Sequence, residues 1–211
     1  MNKIKEVLQQ LQNLYDCKDW WPVHKNTDRF LEVSVGAILT QNTNWSNVEK
    51  AINNLIRENL LDWEKLEKVK ITKLKECIKP AGFYNQKSIY IKNFVKKVKN
   101  LPRENVDRKT LLSIKGIGEE TADSILLYGL DRPYFVVDAY TKRLFYRTGI
   151  TGSVNVPYKK LQNMVMETFP QDTETYKLLH ALIVEHCKKY CRKKPVCEEC
   201  SLKKICKQNL K

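Results

Sequence analysis

Apolar residues in this chain recur at steps of three and four, and no other feature narrows the possible folds as much. Ile4, Val7, Leu8, Leu11 and Tyr15 fall on one helical face, and Val48, Ala51, Ile52, Leu55 and Ile56 fall on another. Ser46 and Glu49 have the spacing of a capping box and predict where the second of these helices starts. Similar stripes run through Ile91, Phe94, Val95 and Val98, through Ala122, Ile125 and Leu126, and through Leu161, Met164 and Val165. Strict two-residue alternation is rare, and loops bearing Gly or Pro at 80–82, 116–118 and 129–133 punctuate the stripes. The pattern predicts an all-α fold. With 211 residues the chain can bury one substantial core or form two small lobes. No repeat or low-complexity linker divides it, so a second domain has to be assembled from segments distant in sequence.

The apolar runs are far shorter than the roughly 20 residues that cross a bilayer, so no membrane span is expected. Residues 1–10 contain Glu6 and lack the unbroken apolar segment of a secretory signal, which points to the cytoplasm. Lysine and arginine total 38 against 24 acidic residues, a formal charge of +14. A polyanion suits such a surface, because each cation that neutralises a phosphate releases a condensed counterion. A solvated lysine-rich surface of the kind selected at high temperature has the same composition. Of the seven cysteines, four lie between Cys191 and Cys206 and a fifth is Cys187, while Cys17 and Cys77 stand alone. In a reducing compartment that clustering favours metal ligation over disulfides.

From Leu111 to Ala122 the sequence reads as a short helix, a tight turn at Gly116, Ile117 and Gly118, and a second helix. Two glycines around one apolar residue let a backbone approach a phosphate, and the N–H groups that open the next helix point towards it. Burial of Ile117 would anchor the turn. A glycine turn that merely joins two helices looks the same. Beyond it, a loop from Gly129 to Pro133 leads through the apolar run Tyr134 to Val137 to Asp138, which is also placed to cap a helix beginning at Ala139.

Hairpin, Gly/Pro loop and aspartate together resemble the helix-hairpin-helix superfamily of DNA glycosylases, endonuclease III among them, and the resemblance covers nearly the whole chain. It implies that Asp138 is the catalytic carboxylate. Breaking an N-glycosidic bond leaves positive charge on the sugar, which a carboxylate in a water-poor site stabilises. The same group can orient or deprotonate the attacking water. Members that cut the abasic strand carry a Schiff-base lysine two residues after the second glycine. Here that position is Glu120, which cannot form an imine, so a monofunctional glycosylase without abasic-site lyase activity is predicted. Lys115, Gly116, Gly118 and Thr121 are the implied DNA contacts of the hairpin. Residues 35–45 resemble the family's early helix and following loop, which makes Gln41 the side chain that fills the gap left by an everted nucleotide.

Trp20, Trp21 and Pro22, the run from Thr40 to Thr43 ahead of Trp45, and the segment Gly82 to Lys87 resemble the 3-methyladenine DNA glycosylase III branch of that superfamily. That likeness implies alkylated purines as substrates, with Trp45 and one of the paired tryptophans, beside Pro22, lining the base pocket. An N-alkylated purine is cationic and electron-poor, so an indole face attracts it, and it leaves without much acid catalysis. Tryptophans are more often core residues, and at least one of the three is expected to be so. With five residues past Cys206, the further lesion-reading domain of adenine-mismatch relatives is not expected.

Cys191, Cys197, Cys200 and Cys206 are separated by five, two and five residues, against six, two and five in the family. Cys187 competes for the first position, but the distance from His186 to Cys191 matches relatives better. Four thiolates closing one small loop suit a 4Fe-4S cluster. Zinc is the rival, although its ribbons usually pair two C-x2-C units and only Cys197 and Cys200 are so spaced. Arg192, Lys193, Lys194, Lys203 and Lys204 surround the ligands, and Lys193 and Lys194 are taken as DNA contacts. His24, His180 and His186 are scattered and read as packing or surface residues. The expected architecture is a helical barrel domain over 22–131, with the hairpin at 108–128, and a discontinuous cluster domain from 1–21 plus 132–211, with its iron-sulfur loop at 191–206. The expected protein is a nucleoid-associated prokaryotic monomer that releases alkylated purines such as 3-methyladenine from damaged double-stranded DNA. A glycosylase for oxidised or mismatched bases and a non-catalytic hairpin DNA-binding protein are the alternatives.

Overall fold

A computed structural model describes residues 2–17 and 19–208. All regular structure among them is helical, without a strand, as the periodicity predicts. The chain separates into two compact units, one comprising residues 1–20 and 133–211 and the other residues 21–132.

The continuous unit is built around α2 (Arg29–Thr40), in which every residue from Phe30 to Leu39 is buried. A helix buried on all sides must be enclosed by others, and α3 (Trp45–Arg57), α6 (Tyr84–Val98), α8 (Glu119–Ser124) and the π-helical turn Ile125–Gly129 enclose it. Asp28 starts α2 by accepting the Leu31 N–H at 3.0 Å. Gly129 lets the π turn lie against it, since a Cβ there would come within 3.2 Å of the Phe30 ring. The α3 start differs from the sequence expectation. Asn44, not Ser46, is the N-cap, and its side chain accepts the Asn47 N–H at 3.1 Å. Ser46 donates to that same asparagine oxygen. The asparagine oxygen captures the orphan N–H two positions ahead of the Ser46 and Glu49 pair, so the helix opens at Trp45. Helices α4 (Trp63–Lys68), α5 (Ile71–Ile78) and α7 (Arg108–Leu112) complete the unit. On α6, Ile91, Phe94, Val95 and Val98 are all fully buried, each contributing about 1.5–3 kcal/mol of apolar burial.

In the discontinuous unit, α1 (Lys3–Gln12) and α9 (Ala139–Thr148) both pack on α11 (Thr173–Lys189), and α10 (Tyr158–Met166) precedes it in the chain. Ile4, Val7, Leu8 and Leu11 form the buried face of α1, whereas Tyr15 lies beyond its end and is only half-buried. The α1 stripe therefore stops one turn earlier than its spacing suggests. No helix among the described residues is long and apolar enough to cross a membrane.

Candidate functional site

The hairpin expected at 108–128 consists of α7, a turn and α8, all in the continuous unit. Asp107 caps α7 through the Thr110 N–H at 2.7 Å. Arg108 reaches across the turn, bonding Asp123 at 2.7 Å and Glu119 at 3.1 Å, which ties the two helices together. Gly116 has φ +99°, and a Cβ there would sit 2.1 Å from the Tyr90 ring of α6. No other residue fits that position. Gly118 has nothing within 4 Å of a would-be Cβ, so space is open beside it. Ile117, 5% exposed, pins the turn from within. Lys115 projects outward, and its carbonyl accepts from Asn93 at 3.4 Å. Glu120, which sequence resemblance places where a lyase lysine is expected, is also exposed.

Gln41 belongs to this assembly. Its Nε2 donates to the Gly116 carbonyl at 2.9 Å and to the Thr121 hydroxyl at 3.1 Å. The amide expected to fill a gap in DNA is thus occupied in binding the hairpin. Gln41, Gly116 and Thr121 come together, with Lys115 and Gly118 on the same turn, while Lys193 and Lys194 are exposed in the other unit.

The two adjacent tryptophans part company. Trp21 meets Trp45 edge-on at 5.3 Å and Tyr128 at 4.7 Å with the rings tilted by 31°. Gly36 makes room for this group, since its Cβ would touch Trp21 at 3.5 Å and Trp45 at 4.0 Å. Trp20 belongs to the other unit, where its ring stands edge-on to His180 at 5.4 Å and its Nε1 donates to Glu185 at 2.8 Å. All three tryptophans are half-buried, so none is the plain core residue expected, and Pro22 is exposed. Tyr128, the third member of the Trp21 group, was not foreseen from sequence. Nor was Phe83, which is 63% exposed with φ +47°.

Asp138 is the N-cap of α9. One carboxylate oxygen accepts the Thr141 N–H at 2.7 Å and its hydroxyl at 2.9 Å. The other lies 3.6 Å from His180 Nε2, an ion-pair rather than a hydrogen-bond distance. Phe135, Val136 and Val137 are buried, and the backbone leading to Asp138 is held by Gln162, which donates to the Phe135 carbonyl at 2.8 Å. The Asp138 side chain keeps 13% of its surface. Burial on its own would raise its pKa, but His180 and then Thr141 outweigh burial and hold the carboxyl below the ordinary carboxylate range. The sequence places His180 among packing or surface residues. It is 4% exposed, and only the fold brings it to Asp138.

Cys191, Cys197, Cys200 and Cys206 all line one recess of about 330 Å³, counting its part open to solvent, together with His186, Arg147, Leu144 and Leu202. Cys187 is not among its walls; it is fully buried, with its sulfur 3.7 Å from the Tyr140 carbonyl. No three His, Cys, Asp or Glu side chains among the described residues close on a point as a single metal ion requires. The buried Arg147 donates to the Arg192 carbonyl at 2.6 Å and the Lys193 carbonyl at 3.1 Å, and Arg143 donates to that of Cys191 at 2.7 Å. A hydrogen bond from Cys187, then Arg147 and Arg143, lower the Cys191 thiol, whereas burial raises those of Cys200 and Cys206. His186 Nε2 lies 3.5 Å from the Cys200 sulfur, and its Nδ1 meets the Tyr15 hydroxyl at 3.1 Å.

Residues 35–171 match the HhH-GPD superfamily of base excision DNA repair proteins. A Methanocaldococcus jannaschii protein named as a candidate DNA repair glycosylase is 48% identical over 96% of this chain and 95% of its own length. The crystal structure of H. pylori 3-methyladenine DNA glycosylase bound to 1,N6-ethenoadenine is 30% identical, with a TM-score of 0.75 over 90% of this chain and 98% of that one. A non-covalent endonuclease III–DNA complex shares the fold at a TM-score of 0.83 and 20% identity, over 99% of this chain and 96% of that chain.

Proposed function

This chain belongs to the HhH-GPD superfamily of base excision DNA repair proteins and is an endonuclease III-like DNA glycosylase, and from that premise we propose that it releases alkylated purines such as 3-methyladenine from double-stranded DNA by hydrolysis. The observation that carries the reading is Asp138, a mostly buried carboxylate held ionised by His180 and Thr141. In the proposed step the bond from the purine nitrogen to C1′ breaks, and its electron pair neutralises the cationic base. Water bonds to C1′ and gives up a proton, either to the Asp138 carboxylate or, with Asp138 only orienting it, to bulk water. A carboxylate about 4 Å from the sugar cation is worth about 4 kcal/mol at an effective dielectric of about 20, or roughly a thousandfold in rate. Trp21, Trp45 and Tyr128 offer the electron-rich faces that an electron-poor purine prefers. The likeness to a glycosylase bound to 1,N6-ethenoadenine supports the same substrate class.

Glu120 at the lyase position supports a monofunctional enzyme that leaves the abasic site intact. Cys191, Cys197, Cys200 and Cys206 would hold a 4Fe-4S cluster, since all four line one recess whose walls do not include Cys187. The cluster would supply a covalent tie for 191–206, so that Arg192, Lys193 and Lys194 are held out towards phosphates.

Release of free 3-methyladenine, compared with thymine glycol and with mispaired thymine and adenine, tests the substrate. No release of the alkylpurine would sink it. Asp138→Asn should lower single-turnover release by about a thousandfold while damaged DNA still binds; an unchanged rate removes Asp138 from the mechanism. Because the Asp138 carboxyl is lowered, release and any stability it lends should persist above the ordinary carboxylate range and fade only as pH drops below it. Borohydride should trap no covalent DNA adduct.

A further inference from the structure

One buried cation of the continuous unit takes no part in the chemistry above. Lys87 of α6 is 2% exposed, and its Nζ donates to the carbonyls of Leu39 and Ala81, each at 2.8 Å. Leu39 stands two residues before Gln41, and Ala81 two residues before Phe83. Phe83 is exposed and left-handed, a strained conformation that persists only where the surroundings impose it. The same helix serves the hairpin, with Tyr90 beneath Gly116 and Asn93 on the Lys115 carbonyl. An apolar side chain of equal length would spare the cost of burying an ammonium, yet would leave both carbonyls without this donor.

We propose that Lys87 is a positioning residue for base eversion, gripping the backbone just ahead of Gln41 and just ahead of Phe83 so that Gln41 is held on the hairpin turn while Phe83 is presented to the duplex, the two in one fixed register. The inference rests on the reading of this chain as a base-everting glycosylase. Each grip is a hydrogen bond from a charged donor, the stronger kind of such bond, so losing both should cost eversion at least about tenfold. Burial alone lowers the Lys87 ammonium to about 8, and the groups that face it are the two carbonyls and, at 6.0 Å, the Phe83 ring.

The test uses the full chain and a duplex with 2-aminopurine beside a tetrahydrofuran abasic analogue, so no lesion chemistry enters. Lys87→Met should keep the parent's helical circular dichroism and its affinity for undamaged duplex within about threefold, while the eversion equilibrium falls at least about tenfold. Lys87→Arg, which keeps the cation, should recover much of that loss. In the unaltered protein the eversion signal should decline as pH rises through about 8. Full eversion by folded Lys87→Met, or an equal loss of undamaged-duplex affinity, overturns the proposal. If Lys87→Met does not fold, the pH series on the unaltered protein decides, and a flat signal between about pH 7 and 9 overturns it. Absence of 3-methyladenine release by the parent would sink the substrate reading and leave this one standing; absence of any eversion by the parent overturns both.

Discussion

The hairpin turn and the cysteine loop are both short and candidates for holding DNA, yet they are secured in opposite ways. The turn is fixed by the chain's own side chains: Ile114 and Ile117 are buried beneath it, Tyr90 fills the space under Gly116, Gln41 bonds it from α2, and Arg108 staples its helices. Residues 191–206 contain no regular helix, and Leu202 is their one fully buried hydrophobic side chain apart from Cys191. Arg143 and Arg147 hold their first residues by the backbone, and the rest encloses a recess. The proposed 4Fe-4S cluster would crosslink a loop that has little apolar burial of its own. One grip is therefore complete on folding of the protein alone, and the other, on that proposal, would be completed by the cluster.

The largest effect should come from removing that crosslink. Iron chelation, or Cys197→Ser, should abolish the brown colour of the cluster and speed proteolysis after Arg192 and Lys193 by about a hundredfold, as local opening becomes easier by about 2–3 kcal/mol. Cleavage within the hairpin should be unchanged. A chelated protein whose 191–206 loop resists protease as before would break the comparison, and colourless protein containing one zinc would replace the cluster. Next comes Gly116→Ala, which forces a Cβ onto Tyr90 in a left-handed backbone and should cost about 3 kcal/mol of stability. Gly118→Ala meets no atom within 4 Å and has φ −94°, so stability should barely move. Its added methyl should instead weaken DNA binding, if the open side of Gly118 is where a phosphate lies. Equal melting temperatures for the two variants would show that the turn is not held as described.

How much of this was legible in advance depends on the range of each interaction. The buried faces of α1, α3 and α6 could be read because helical periodicity is a local property, and Gly116 could be singled out because a tight turn has a local signature. The α3 start was misplaced by a competition equally local, in which Asn44 and the Ser46 and Glu49 pair both carry capping chemistry and geometry chose the first. Longer-range facts had no signal. Nothing near His180 marks it as the neighbour of Asp138, and nothing in the consecutive Trp20 and Trp21 foretells that one faces His180 and the other Trp45. Lys87 was hidden for a different reason. A lysine is read as surface by default, and only its burial against two carbonyls reveals a structural cation.

The smallest effect sharpens the comparison most, because it separates charge from shape. Lys193 and Lys194 are exposed, and the first has its carbonyl fixed by Arg147. Their contribution to DNA binding should then be counterion release alone. Changing both to alanine should flatten the plot of log affinity against log salt by about 1.8, at about 0.9 for each phosphate no longer neutralised, with helical content and melting temperature unaltered. Gly118→Ala should do the reverse, lowering affinity at every salt concentration while leaving the slope alone, since it removes no cation. An unchanged slope in the double lysine variant would mean that the cysteine loop does not touch phosphates, and the hairpin would be left as the backbone grip of this glycosylase.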